Sequence, residues 1–159
     1  GYTKLQIGLL AAIPYLLAVV SMVYSSIHSD RTGERRWHVA VPAFLAAAGW
    51  GASACFESPW LVLAALSLAA LGMYSTFGPF WSLPNSFLSG AAAAGGIALI
   101  NSVGNLGGFV APVVISEVKS ATNSFSGGML AMALAMLIAG GLAICCQHDQ
   151  SSEQVRNRV

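Results

Sequence analysis

Charge is what this sequence has least of. Only 8% of its 159 residues are Asp, Glu, Lys or Arg, against roughly a quarter in a soluble domain. Seven basic and six acidic residues leave a net charge of +1, which excludes a nucleic-acid binder, since phosphates call for a strongly basic face. Disorder is excluded too, because it requires low hydrophobicity and 56% of these residues are hydrophobic. Cysteine is sparse: Cys55 stands alone, and Cys145 and Cys146 are adjacent, a spacing unsuited to a bridge or to metal ligation. They read as small fillers of helices. The start carries no basic segment followed by a cleavage site, so no signal peptide is expected.

The scarcity is uneven along the chain. From Trp37 to Ser116, Glu57 is the only charged residue. A helix needs roughly 20 apolar residues to cross a bilayer, and five stretches qualify: about 5–27, 37–56, 60–82, 91–118 and 127–146. The third can extend toward Leu88 past Pro84. Unbroken apolar runs without a period of two argue for helices rather than barrel strands. The fold class expected is therefore all-α and integral to a membrane, with a bundle over 1–146 and a polar cytoplasmic tail over 147–159.

Polar links fall at His28–Arg36, Glu57–Pro59, Asn85–Gly90 and Lys119–Ser126. Arg31, Arg35, Arg36, Arg156 and Arg158 would share one side of the bilayer, and only Lys4 and Lys119 the other. Positive charge favours the cytoplasm, so the first link and the C-terminus are expected inside. Five spans with an external N-terminus and no initiator Met suggest a piece of a longer protein.

Few polar residues interrupt the spans. Asn101 and Asn105 lie one turn apart on the fourth, roughly 15–20 Å in from its cytoplasmic end. Amides at that depth must meet protein or a water-filled cavity. Two roles remain open, hydrogen bonds between helices or contact with a substrate. Gly104 and Gly108 beside them form a small-xxx-small pair that favours close packing. On the third span Tyr74, Phe77, Gly78 and Trp81 share a face next to Pro79 and Pro84. That face could be packing, or the wall of a cavity at a proline break. Tyr15, beside Pro14, is a candidate of the same kind. No charge sits mid-span, and the three histidines lie at span ends. No catalytic triad, metal set or cofactor site can be assembled, so an enzyme is not expected.

The first link, from Ser26 to Arg36, resembles the Asp-Arg-x-Gly-Arg-Arg loop of major facilitator superfamily transporters. Asp30, Arg31, Gly33, Arg35 and Arg36 match, whereas Ser26 and Glu34 replace an expected Gly and Arg. With the runs GLLAAIPYL, HSDRTGERRWHV, GPFWSLPNSFLSG and GIALINSVGNLGGFVAP, the chain resembles the anion:cation symporter branch, which includes tartrate, phthalate and sugar-acid permeases. The resemblance implies helices eight to twelve of a twelve-helix protein, most of its C-terminal six-helix bundle, in a bacterial inner (plasma) membrane.

It further implies an alternating-access symporter for a small organic anion, coupled to a proton or sodium ion and completed by a missing N-terminal half. Asp30, Arg31, Gly33, Arg35 and Arg36 would then form a gating loop. Trp81, Asn101, Asn105, Tyr74 and Tyr15 would be substrate contacts. The competing reading is a self-contained five-span structural or interaction protein without transport activity.

Overall fold

The computed structural model describes residues 3–145, which form six helices in the order α1 (Lys4–Thr32), α2 (Arg36–Cys55), α3 (Pro59–Ser75), α4 (Phe77–Phe87), α5 (Gly90–Thr122) and α6 (Ser126–Cys145). Five segments are long and apolar enough to cross a membrane, α3 and α4 counting as one. The expected tail 147–159, with Arg156, Arg158 and Cys146 before it, lies outside the described residues.

Local chemistry sets the ends. Thr3 and Gln6 bond reciprocally, Gln6 N–H to Thr3 Oγ1 at 3.3 Å and Thr3 N–H to Gln6 Oε1 at 2.9 Å, so α1 begins with a capping box. It runs on to Thr32, five residues past the expected stop at 27. The Thr32 hydroxyl donates back to the His28 carbonyl at 2.9 Å, and only Gly33, at φ 69°, takes the left-handed turn that ends the helix. The first link thus shrinks to residues 33–35. The last links shorten likewise, because α5 reaches Thr122 before Asn123 turns left-handed at φ 53°.

The third span is broken rather than continuous. Pro79 has no N–H to give the Ser75 carbonyl, and its ring crowds that carbonyl. The chain therefore turns at Thr76, and α4 restarts at Phe77.

α2 lies at the centre, packed on α6 and α3, and α3 packs on α1. The buried apolar residues are nearly all alanines, among them Ala40, Ala43, Ala46, Ala47, Ala65 and Ala69. Most large apolar side chains face outward, as on Leu16, Val20, Leu99 and Phe109. Lipid is as apolar as leucine, so membrane helices gain from close backbone approach rather than from burying large side chains. Gly49 and Gly72 mark that approach between α2 and α3. A Cβ on Gly49 would lie 2.7 Å from the Ala65 carbonyl oxygen and 2.8 Å from Ala69 Cα. α5 stands apart, with no buried residue among those described.

Candidate functional site

At the joint of α1 and α2 the loop residues bond to one another. Asp30 forms an ion pair with Arg35, and Arg35 Nη1 lies 3.4 Å from the buried Ser29 hydroxyl. That hydroxyl donates to the Glu34 carbonyl at 2.7 Å, which holds the turn to the last coil of α1. Arg36 reaches across to donate to the Ile144 carbonyl in the last turn of α6. The unpaired carbonyls of a helix C-terminus carry partial negative charge, so a guanidinium there caps and neutralises them. The contact also puts the first link and the end of α6 at the same end of the bundle, as five spans require. Arg31 is exposed.

Arg36→Ala should lower the stability of the α2–α6 pair by about 1.5–3 kcal/mol, the usual cost of losing a hydrogen bond to a charged group. Arg36→Lys should recover part of it. Thermal unfolding of the purified chain in detergent measures both, and an unchanged midpoint in the alanine variant would refute the contact.

Glu34, a departure from the resembled loop, has two partners. Its carboxylate accepts the Trp37 N–H at 2.9 and 3.1 Å, capping α2, and lies 2.9 Å from His38 Nδ1. Burial alone would raise its pKa, but the Trp37 amide and His38 more than offset that and leave it below the ordinary 4.5. A carboxyl depressed on folding contributes stability above its unfolded pKa and loses it as pH falls through the folded value. Glu34→Gln should therefore flatten the acid side, below about pH 4.5, of the stability–pH curve relative to the unaltered chain. An acid limb unchanged by the substitution would remove Glu34 from that account. An acid just ahead of a helix was the signal available in the sequence.

The aromatic residues come together in part. Tyr15 and Tyr74 meet edge to face with centroids 6.4 Å apart, and Tyr74 lies 5.1 Å from Phe77. Trp81 contacts Phe80 at 5.3 Å and lines a cavity of about 470 Å³ between α1 and α4, together with Met22, Ser26 and Phe77. Gly78 permits this contact, because a Cβ there would lie 2.7 Å from Ser26 Cβ. Ring faces beside a proline break suit the apolar skeleton of a small solute.

Asn101 and Asn105 do not join this cluster. Both are exposed on α5, which meets only α4 and α6 in any number. A Cβ on Gly104 or Gly108 would meet nothing within 4 Å, so the small-residue pair has no helix against it among the described residues.

Three relatives align along most of the chain. A protein of Agrobacterium vitis, provisionally named a tartrate transporter, is 47% identical over 144 residues, 91% of this chain and 32% of that protein. A quinolone resistance transporter of Acinetobacter baumannii is 39% identical over 137 residues, 86% of this chain and 32% of that protein. The inner membrane transport protein RhmT of Escherichia coli (strain K12) is 35% identical over 144 residues, again 91% and 32%. The chain thus spans about a third of the length of these relatives. No protein-family model and no solved structure matches it.

Proposed function

This chain belongs to the major facilitator superfamily of membrane transporters, and from that premise we propose that it supplies helices eight to twelve of an alternating-access symporter for small organic anions. Tartrate or a sugar acid is the substrate class, and a proton or a sodium ion is the coupled cation. Transport would proceed by rocking of two helical bundles about a site near the bilayer midplane. The bundle described above is one wall of that site. Trp81, Tyr74 and Tyr15 offer ring faces to the substrate skeleton, and Asn101 and Asn105 offer amides to its hydroxyl or carboxylate oxygens.

The observation that carries the reading is an alignment spanning 91% of the chain with a protein bearing a tartrate-transporter name. The exposed amide-bearing and glycine-bearing face of α5 supports it, since polar groups at membrane depth require partners. Neutralising a carboxylate substrate falls to groups elsewhere in the whole protein, because no span here carries a mid-membrane charge. The Asp30–Arg35 pair and the Arg36 contact would latch one conformation of the cycle at the cytoplasmic face.

The test uses vesicles holding the whole transporter, with the 159-residue chain and empty vesicles beside it. Saturable tartrate or sugar-acid uptake, driven by an imposed proton or sodium gradient, is expected in the first alone. Uptake by the 159-residue chain would overturn the fragment reading, and no uptake in any vesicle would overturn the substrate class. A reporter fused after Val159 should read cytoplasmic and one inserted at 57–59 external. The reverse pattern would break the assignment to helices eight to twelve.

A further inference from the structure

A chain of three titratable side chains at the α1–α2 joint is left over once the gating loop has been described. His38 Nδ1 lies 2.9 Å from a Glu34 carboxylate oxygen, and His38 Nε2 lies 2.6 Å from His28 Nδ1. The two imidazole centroids are 4.9 Å apart, and Tyr24 stacks on His28 at 6.0 Å with an interplanar angle of 16°. We propose that Glu34, His38 and His28 form one proton-binding site that ties α1 to α2 and makes this joint responsive to pH.

The hydrogen bonds fix which nitrogen carries which proton. An ionised carboxylate only accepts, so His38 Nδ1 carries a hydrogen. Neutral His38 then presents Nε2 as an acceptor, and His28 Nδ1 must donate to it. His28 Nε2 is left as the open position for one further proton. That proton converts the pair to a cation shared between two rings and balanced by Glu34, which strengthens both bonds. A second proton has no such place. It would put hydrogens on both nitrogens that face each other at 2.6 Å, and two donors cannot share that contact. The joint is tightest with one proton and opens with two. Imidazole is the side chain best suited to such a proton-dependent contact, since either ring nitrogen can donate or accept.

The surroundings leave the site to these three groups. Asp30 and Arg35 are paired with each other, Arg36 is engaged by the Ile144 carbonyl, and exposed Arg31 lies one turn from His28. α3, packed on both helices, brings only Tyr74, which lies among Tyr15 and Phe77. α6 brings Cys145. Glu34 is also one of the two positions at which the loop departs from the resembled pattern, and an Arg there could not accept either bond.

The inference stands on this geometry without the transport reading, and its test reads proton binding rather than uptake. The chain carrying His148→Gln, labelled with ¹⁵N in its histidines, is titrated by NMR in detergent micelles. His38 should appear at neutral pH as the Nδ1–H tautomer, and the two rings should titrate as a coupled pair. Glu34→Gln, which takes the carboxylate away from His38 Nδ1, should alter the signals of both rings together. His28→Phe, which keeps the ring against Tyr24, should leave His38 with a single, simpler transition. An Nε2–H tautomer for His38 overturns the proposal. So do two independent transitions that neither substitution alters. The tautomer is read on the His148→Gln chain alone, so the proposal remains falsifiable if Glu34→Gln does not fold.

Discussion

Gly49→Leu and Gly72→Leu are each expected to separate α2 from α3 and prevent the bundle from folding. The two glycines face backbone, not side chains. A Cβ on Gly72 would stand 2.9 Å from Ala46 Cα, and one on Gly49 meets Ala65 and Ala69 as closely. Backbone atoms cannot rotate out of the way, so one methyl forces the helices apart. Overpacking of this kind costs about 1–3 kcal/mol for alanine, and leucine adds three more carbons to the same gap. Because the packed alanines along this seam hold the centre of the bundle, losing close approach removes their contacts too. Loss of the folded, monodisperse species in detergent is the measure for leucine, and a lowered unfolding midpoint for alanine. A wild-type midpoint in Gly49→Leu would refute the seam.

The glycines of α5 supply the contrast. Gly104→Ala meets nothing within 4 Å, so in the 159-residue chain it should be neutral or slightly stabilising, as expected for Gly→Ala in an exposed helix. In the whole transporter the same change should be destabilising, because the small face would lie against helices outside this chain. Equal behaviour in both settings would leave α5 without a partner and weaken the fragment reading.

The sequence revealed the fold more fully than the site, for a physical reason. Membrane spans announce themselves through long apolar runs, and the described residues hold the five segments long and apolar enough to cross a membrane. Ends were less legible. Hydropathy falls at His28, yet the hydrogen bonds of Ser29 and Thr32 carry α1 on to Gly33. Pro79 and Pro84 signalled a break without saying where, and Thr76 took it because the clash falls one turn earlier. Nothing in the sequence sets Gly49 and Gly72 apart from the alanines around them, since close approach depends on the partner helix. Tyr15 and Tyr74 meet although 59 positions separate them, whereas Asn101 and Asn105 stay exposed on α5. A face that awaits another part of a protein looks the same in sequence as one already packed.

Trp81→Ala and Asn101→Ala, made in the whole transporter, are expected to weaken substrate binding while leaving the protein inserted and folded. Trp81 is already placed on a cavity wall with 36% of its surface exposed, so truncation removes a ring face without opening the core. Asn101 is exposed on a helix with no buried residue among those described, so its amide is available to whatever occupies the midplane. Losing a hydrogen bond to a neutral group costs about 0.5–1.5 kcal/mol, and to a charged group up to roughly 3. The dissociation constant should therefore rise about 2- to 150-fold, the upper end applying if the amide meets a carboxylate. Asn101→Leu should be worse than Ala, because it also fills the space the substrate needs. If the amide instead bridges helices, the cost should be about 0.6 kcal/mol of stability with affinity unchanged. Equilibrium binding of labelled tartrate and unfolding midpoints, measured on the same preparations, separate the two. Lowered stability with wild-type affinity would assign Asn101 to packing and leave the aromatic wall of α1, α3 and α4 as this chain's contribution to the site.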